Sequence, residues 1–325
     1  MKIYFAPMEG VTDVIYRRVH HACFPGLAKY YIPFISPTQH LTFTSREQAA
    51  VSPALNAGIP AVPQILTKNA EHFIHTARAL HEAGYDEINL NLGCPSGTVT
   101  AKGKGSGMLR DPGVLAAFLD EIFAAAPCAI SVKTRIGYDS VEEWPALLAL
   151  LSRYPISELT VHPRTRRELY GGSPHSEAFA LALKSAPCPC VYNGDLHTKA
   201  GCAALARDYP GTAALMIGRG LVSNPALGRE VMGGAPLSRE DLVSFHDKLL
   251  AAYLDAWPKN AVIGHMHEIM KHIALQFADT QKPVKALRKA TTLEAYEDAA
   301  RRLLDCPFRD ADDESVSSPS GEQGA

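Results

Sequence analysis

The chain has 325 residues, of which 46% are hydrophobic, and a formal charge of −2. This is enough for a large core and exceeds what one small domain needs. No apolar run approaches the ~20 residues that a membrane helix requires, and no basic, apolar leader precedes the first strand, so we expect neither membrane spanning nor secretion. The seven cysteines are scattered without a metal-ligand spacing, which predicts a reduced, cytoplasmic protein without a metal site.

Short apolar stretches alternate with helical patterns through about residue 232. Eight stretches are typical of buried strands: Ile3–Ala6, Tyr31–Ile35, Ala61–Leu66, Glu87–Asn91, Ala129–Thr134, Glu158–His162, Cys190–Asn193 and Ala214–Ile217. Helical periodicity is clear at Ala70–Ala83, Pro112–Ala125, Val141–Tyr154 and Thr198–Asp208. Eight strands alternating with helices over roughly 220 residues predict an α/β fold, a (β/α)8 TIM barrel. A doubly wound open sheet is the alternative, but no G-x-G-x-x-G follows the first strand.

The pattern changes after Gly233-Gly234-Ala235-Pro236, where only helices are predicted. These helices are Arg239–Trp257, Ala261–Phe277, Val284–Ala290 and Thr292–Leu304. We therefore predict a barrel domain over residues 1–235, a small all-helical C-terminal domain over 236–305 and a disordered acidic tail over 306–325.

The small net charge hides an uneven distribution. From Asp305 to the end, six acids stand against one base, which leaves the rest of the chain with an excess of three positive charges. Six bases and two acids lie between Lys259 and Lys289. Most charge runs are solvated helix faces, but a surface for nucleic-acid phosphates is the other interpretation.

Polar residues and glycines collect at the carboxyl ends of the predicted strands. In a parallel barrel these ends meet on one face, where active sites form. The residues, in strand order, are Pro7 and Met8, Gln64, Cys94, Lys133, His162, Asn193-Gly194-Asp195 and Gly218-Arg219. Their convergence predicts a functional site at this mouth of the barrel.

Each of these residue types has a chemical use at a barrel mouth. The glycines after strands 7 and 8 let backbone N–H groups approach a phosphate, and Arg219 adds a bidentate cation; two ordinary glycine turns are the alternative. Lys133 must meet an anion or an electron-rich ring edge, or else pack along the wall. Gln64 offers both a donor and an acceptor, whereas His162 is as easily a structural residue as a ligand.

Asn91-Leu92-Gly93-Cys94-Pro95 places one thiol directly after a strand and at the start of a glycine-rich loop. Most free cysteines are buried and inert, so a small apolar residue in a tight turn is the alternative to a reactive thiol. The following segment, Lys102–Leu109, is basic and rich in glycine. It is typical of a lid over a substrate, and equally of a plain flexible loop.

Seven motifs, read in order, resemble those of the tRNA-dihydrouridine synthase family, FMN enzymes that reduce uridine in tRNA. They span residues 6–13, 91–95, 102–109, 131–137, 161–165, 193–195 and 217–220. The resemblance runs from residue 3 to about residue 235, and the helical region fits the family's second domain. It implies tRNA as the substrate and NADPH as the reductant, without an obligate protein partner.

The resemblance also implies roles for individual residues. The flavin ring would lie among Pro7, Met8, Gln64, Lys133 and His162. Its ribityl-phosphate end would be held by Asn193, Gly194, Asp195, Gly218 and Arg219. Reduced flavin would deliver hydride to C6 of the uracil, and Cys94 would be the general acid that protonates C5. Such an acid must be neutral, and an unperturbed thiol pKa near ~8.5 allows this.

A uracil in folded tRNA must leave its stack to reach the mouth, which costs a few kcal/mol that other RNA contacts must offset. We expect these contacts from Asn91, Lys102, Arg164, Arg167, Lys271, Lys285 and Arg288. Two departures from the family pattern stand out, because Met270 occupies the first position of an Arg-Lys-His motif and Glu9 replaces an alanine.

Two other functions compete with this one. An FMN barrel that acts on a free pyrimidine, of the dihydroorotate dehydrogenase type, would not need a basic helical domain. An RNA-binding barrel without a redox role would not need Gln64, Lys133, Gly218 and Arg219 together.

Overall fold

Eight parallel strands form a closed barrel in the computed structural model, which describes residues 1–309. The strands are β1 (Lys2–Phe5), β2 (Lys29–Ile35), β3 (Ala61–Ile65), β4 (Glu87–Leu92), β5 (Ala129–Gly137), β6 (Leu159–Thr165), β7 (Cys190–Asn193) and β8 (Ala214–Ile217). Each strand pairs with the next one in sequence, and β8 pairs with β1 to close the barrel. The predicted TIM barrel is confirmed.

Helices connect the strands. They are α1 (Val14–Cys23), α2 (Ser45–Ala50), α3 (Ala70–Glu82), α4 (Gly97–Thr100), α5 (Pro112–Ala124), α6 (Trp144–Leu151), α7 (Ser176–Ser185), α8 (Lys199–Asp208), α9 (Arg219–Ser223) and α10 (Leu227–Val231). The periodicity analysis locates α3, α5, α6 and α8 but does not find α1 or α7. A local signal for α1 exists, because the carboxylate of Asp13 caps it by accepting a 2.9 Å hydrogen bond from the Tyr16 N–H.

Side chains fill the end of the barrel where the strands begin. The carboxylate of Glu158 accepts hydrogen bonds from the hydroxyl of Tyr4 at 2.8 Å, the hydroxyl of Tyr31 at 3.1 Å and the amine of Lys29 at 3.1 Å. Lys29 also reaches Glu87 at 2.7 Å. Because these polar groups satisfy one another, they can be buried inside the barrel. The opposite end, where the strands terminate, is the mouth.

Four further helices follow the barrel: α11 (Arg239–Ala256), α12 (Lys259–Ile273), α13 (Gln281–Lys289) and α14 (Leu293–Leu304). Ser238 caps α11 in a reciprocal pair with Asp241. Helix α13 buries Pro283 and Leu287 and exposes its four basic side chains. Among the described residues, no helix is long and apolar enough to cross a membrane.

A buried hydroxyl joins the C-terminal helices to the barrel. Tyr253 of α11 is 0% exposed, and its hydroxyl lies 3.0 Å from Oδ1 of Asp13, at the start of α1. Nε2 of His265, on α12, lies 2.8 Å from the same hydroxyl. One side chain therefore couples two C-terminal helices to the first helix of the barrel.

The sequence analysis places the start of the disordered tail too early, at residue 306. Residues 306–309 return to the C-terminal helices, where Phe308 forms an antiparallel bridge with Phe277 and stacks on its ring at 4.9 Å. The backbone N–H of Arg309 donates to the Gln276 carbonyl oxygen at 2.9 Å. The ring of Phe308, just before the acidic residues that begin at Asp310, explains why the order extends further than predicted. Its packing on Phe277 favours an ordered chain. The rest of the predicted tail, residues 310–325, lies outside the described residues.

We expect Tyr253→Phe to lower the free energy of unfolding by about 1–3 kcal/mol, because Asp13 and His265 would lose a buried hydrogen-bond partner. Urea unfolding checks this. Tyr209→Phe is the matched control, since the Tyr209 hydroxyl makes no hydrogen bond within residues 1–309. Equal stabilities of the two variants would contradict a role for the Tyr253 hydroxyl in attaching the helices.

Candidate active site

Cys94 is held on a turn at the end of β4 by hydrogen bonds from both sides. Oδ1 of Asn91 accepts from the N–H groups of Gly93 at 3.0 Å and Cys94 at 2.9 Å. The carbonyl oxygen of Cys94 accepts two hydrogen bonds from Ser106, one from its N–H at 3.1 Å and one from the Ser106 hydroxyl at 2.8 Å. Arg135 of β5 donates to the Gly93 carbonyl oxygen at 3.0 Å. The backbone that carries the thiol is therefore fixed before any ligand binds.

The glycine-rich segment after Cys94 is packed rather than loose. Residues 105–109 are buried in a short 3-10 helix, so neither a mobile lid nor a plain flexible loop describes them. Gly105 has a φ of +57°, and a Cβ built on it would lie 2.9 Å from the Cys94 carbonyl oxygen. Glycine is required there because the segment presses against the Cys94 turn. Lys102 is exposed, and Gly103 and Lys104 are half-buried.

A chain of buried carboxamides runs beneath the mouth. Nδ2 of Asn91 donates to Oε1 of Gln64 at 2.7 Å, Nε2 of Gln64 donates to Oδ1 of Asn89 at 2.7 Å, and Nδ2 of Asn89 donates to the Ser131 hydroxyl at 2.9 Å. The sequence interpretation missed Asn89 and Ser131. A signal was present, because Asn89 and Asn91 are two apart on β4 and so point to the same side.

Lys133 and His162 lie among cations near the strand ends. Burial, reinforced by the charge of Arg135, lowers the pKa of Lys133 to about 7. Burial, with Arg135 and the other nearby cations, holds the pKa of His162 well below its usual range. Within residues 1–309, the Lys133 amine has no hydrogen-bond or ion-pair partner. A region with this excess of positive charge favours an anionic or electron-rich ligand.

Asp195 supplies the main negative charge on this side of the mouth. Its carboxylate accepts from Arg219 at 2.8 Å and also from Arg164. The Arg164 side chain is 0% exposed, and its Nε donates to the Gly171 carbonyl oxygen at 2.9 Å. Burial with these partners fits a role in positioning Asp195 better than the predicted contact with RNA.

Tyr170 covers the arginines near His162 and was not identified from the sequence. Its ring centroid lies 5.4 Å from the guanidinium carbon of Arg135 and 5.0 Å from that of Arg219. The ring is 6.2 Å from His162, and the residue remains 52% exposed. An exposed aromatic side chain between two cations can contact a planar ligand that enters the mouth.

The segment after β1, which holds Pro7 and Met8, approaches the residues after β8 through Met8. A Cβ built on Gly218 would lie 3.3 Å from Sδ of Met8, so the segments after β1 and β8 come within contact distance. The side chain of Asn193 turns back to the barrel, since its Nδ2 donates to the Met216 carbonyl oxygen at 2.8 Å. The 2.8 Å ion pair between Asp195 and Arg219 links the segments that hold Gly194 and Gly218.

The structure favours a neutral Cys94 thiol. Burial raises its pKa above the ordinary value and outweighs the lowering effects of the Ser96 backbone, Lys133 and Arg135. The carboxylate of Glu9, which is paired with Arg46 at 3.0 Å, adds to the increase. This direction fits the expectation that Cys94 acts as an acid rather than as a thiolate nucleophile.

The remaining predicted RNA contacts lie on the rim of the mouth or outside it. Arg167 is largely exposed and lies 3.8 Å from Asp139, and Lys102 is also exposed. Lys271 lies on α12, 3.8 Å from Glu268, whereas Lys285 and Arg288 are on the exposed face of α13. Among the residues that the structure describes, no group of three or more His, Cys, Asp or Glu side chains is arranged to hold a metal ion.

Comparison with known proteins gives a family match over most of the chain. The model of the family described as Dihydrouridine synthase (Dus) matches residues 4–311. A probable tRNA-dihydrouridine synthase of Staphylococcus aureus (strain COL) is 32% identical over 267 residues, which cover 76% of this chain and 77% of that protein. The probable tRNA-dihydrouridine synthase 2 of Bacillus subtilis (strain 168) is 33% identical over 238 residues, 68% of this chain and 69% of that protein.

A solved structure with the same barrel is more distant. The old yellow enzyme homologue from Zymomonas mobilis has a TM-score of 0.56 at 14% identity, and the match covers 75% of this chain and 92% of that chain. At this identity the similarity shows the fold alone.

The neutral thiol has a measurable consequence. We expect the pH midpoint for alkylation of Cys94 to be higher in the folded protein than in urea, because alkylation follows the thiolate and burial raises the folded pKa. Reaction with iodoacetamide at a series of pH values, read by peptide mass spectrometry, gives both midpoints. The unfolded chain is its own control, with a midpoint near ~8.5. A folded midpoint at or below that of the unfolded chain would contradict the neutral acid.

Proposed function

We propose a function from one premise: this chain belongs to the dihydrouridine synthase family. Its activity is that of a tRNA-dihydrouridine synthase, an oxidoreductase that reduces uridine in tRNA to dihydrouridine. The family implies a flavin. We propose more specifically that the flavin is FMN, that NADPH reduces it, and that the enzyme acts in the cytoplasm.

The residues at the mouth fit an FMN molecule. Lys133 has no partner within the described chain and is surrounded by other cations, which suits the electron-rich edge of a flavin ring. Arg219 would supply a cation, and the backbone around Gly194 and Gly218 would supply N–H groups, for a phosphate. Gln64 is fully buried below them, where its carboxamide orientation is fixed by Asn89 and Asn91.

The residue that carries the chemistry is Cys94. When bound, reduced FMN supplies the hydride that adds to C6 of the uracil ring. Cys94 donates its proton to C5, so that one C–H bond forms at each carbon and the double bond is lost. The raised pKa keeps this proton on sulfur at neutral pH, and Asn91, Ser106 and Arg135 hold the backbone that aims it.

The C-terminal helices support RNA over a free pyrimidine as the substrate. Helix α13 presents Lys282, Lys285, Arg288 and Lys289 on its exposed face, with no acid between Gln281 and Lys289. A free base is too small to use this surface, whereas RNA phosphates are attracted to it. We propose that Lys271, Lys285 and Arg288 contact the tRNA there and that Arg167 contacts it nearer the mouth.

We expect Cys94→Ala to reduce dihydrouridine formation about 10²–10⁴-fold, the usual contribution of a general acid, while flavin content and NADPH oxidation persist. Nucleoside mass spectrometry of tRNA and the flavin absorbance measure the two effects. Cys128→Ala is the control, because Cys128 directly precedes β5 at the opposite end of the barrel. Equal loss of flavin and of dihydrouridine in Cys94→Ala would mean that the thiol is structural.

Replacement of Lys285 and Arg288 by Ala should weaken tRNA binding and flatten the plot of log Kd against log salt concentration by about 1–2 units, because two phosphate contacts are lost. Fluorescence anisotropy with labelled tRNA measures this slope. The control replaces Lys2 and Arg153 by Ala. This removes the same charge from the end of the barrel where the strands begin. If the two double variants bind alike, the α13 surface does not bind tRNA.

A further inference from the structure

Three lysines form a cluster on the rim of the mouth beside Cys94. Lys68 follows β3, while the exposed Lys102 and the half-buried Lys104 lie at the start of the segment that packs on the Cys94 turn. We call Lys68, Lys102 and Lys104 the rim lysines. None of them takes part in the flavin site described above.

The rim lysines are held close together by the local backbone. Nζ of Lys104 donates to the hydroxyl of Ser36, after β2, at 3.1 Å. A Cβ built on Gly103 would lie 3.7 Å from Nζ of Lys68, so the Lys68 side chain runs along the backbone between the other two lysines. Gly103 has a φ of +67°, a conformation that glycine adopts without strain. Two loops, one after β3 and one after β4, therefore bring the three lysines together.

These charges are not balanced by acids. Within residues 1–309, none of the rim lysines forms an ion pair, whereas exposed arginines such as Arg46 and Arg167 have an acidic partner. The pKa of Lys104 is lowered by burial and by the charges of Lys102 and Lys68. Like charges held together without a counter-charge destabilise the free protein and favour an anionic ligand.

The position of the cluster relates it to the thiol. Lys104 directly precedes Gly105, where a built Cβ would lie 3.0 Å from Cβ of Cys94. A uracil that reaches Cys94 points inward, and the phosphates on either side of its ribose remain at the rim. The rim lysines are thus placed beside the backbone of the nucleotide that enters the mouth.

We propose that Lys68, Lys102 and Lys104 bind the phosphate groups of the RNA strand next to the uridine that is reduced. The proposal rests on the proposed function and adds a second RNA contact, separate from α13, at the point where the base leaves its stack. Contacts at this point offset the cost of extrusion where it arises.

The experiment compares two triple variants of the full-length, flavin-loaded protein. One replaces the rim lysines by Gln, and the control replaces Lys2, Arg153 and Lys184, exposed cations at the other end of the barrel. We expect the slope of log Kd for tRNA against log salt concentration to flatten by about 2 units in the rim variant. We also expect KM for tRNA to rise about 10-fold or more, and both values to stay unchanged in the control. The double variant Lys68→Gln, Lys102→Gln keeps the Lys104–Ser36 bond and should show about two thirds of the change in slope.

Two results would overturn the proposal. One is a slope that is the same in the rim variant and in the control. The other is an increased KM for NADPH with an unchanged tRNA slope, which would assign the cluster to the phosphates of the reductant. A wild-type protein that binds tRNA without forming dihydrouridine would instead refute the proposed function, and the slope comparison would still test the rim lysines.

Discussion

The geometry of the mouth depends on the side-chain amide of Asn91. Its oxygen holds two N–H groups of the turn that carries Cys94, and its nitrogen fixes the carboxamide of Gln64. The amide has only one orientation in which both interactions form, so the thiol and the floor of the site are set by the same residue. Asn89 and Ser131 extend this constraint from β4 to β5. The site is therefore built from neighbouring strands and not from loops alone.

Electrostatics divides the mouth into two functional regions. Around Lys133, His162 and Arg219 the positive charge is buried or partly buried, and Asp195 compensates only part of it. At the rim, Lys68 and Lys102 are exposed and lack acidic partners among the described residues. Buried cations suit a resident cofactor that seldom leaves. Exposed cations suit a polyanion that must arrive and dissociate, since their attraction is weakened by salt.

Strand positions could be predicted from sequence because a buried parallel strand is a local apolar run that ends in a recognisable polar residue. Once eight such runs are placed in a barrel, topology alone brings Cys94, Lys133 and Asp195 to one face. The partners of these residues could not be predicted in the same way. Arg164 resembles an exposed RNA ligand in the sequence, but it is buried because the loop at Gly171 and the remote Asp195 supply its acceptors. Such pairings depend on packing between segments far apart in the chain.

The neutral state of Cys94 has a consequence beyond acid catalysis. Peroxides and disulfides attack thiolates, and formation of a sulfenic acid follows the thiolate fraction. Because burial raises the Cys94 pKa, we expect this partly buried thiol to be oxidised more slowly than a free cysteine. The desolvation that keeps the Cys94 thiol neutral therefore also lowers its reactivity toward oxidants.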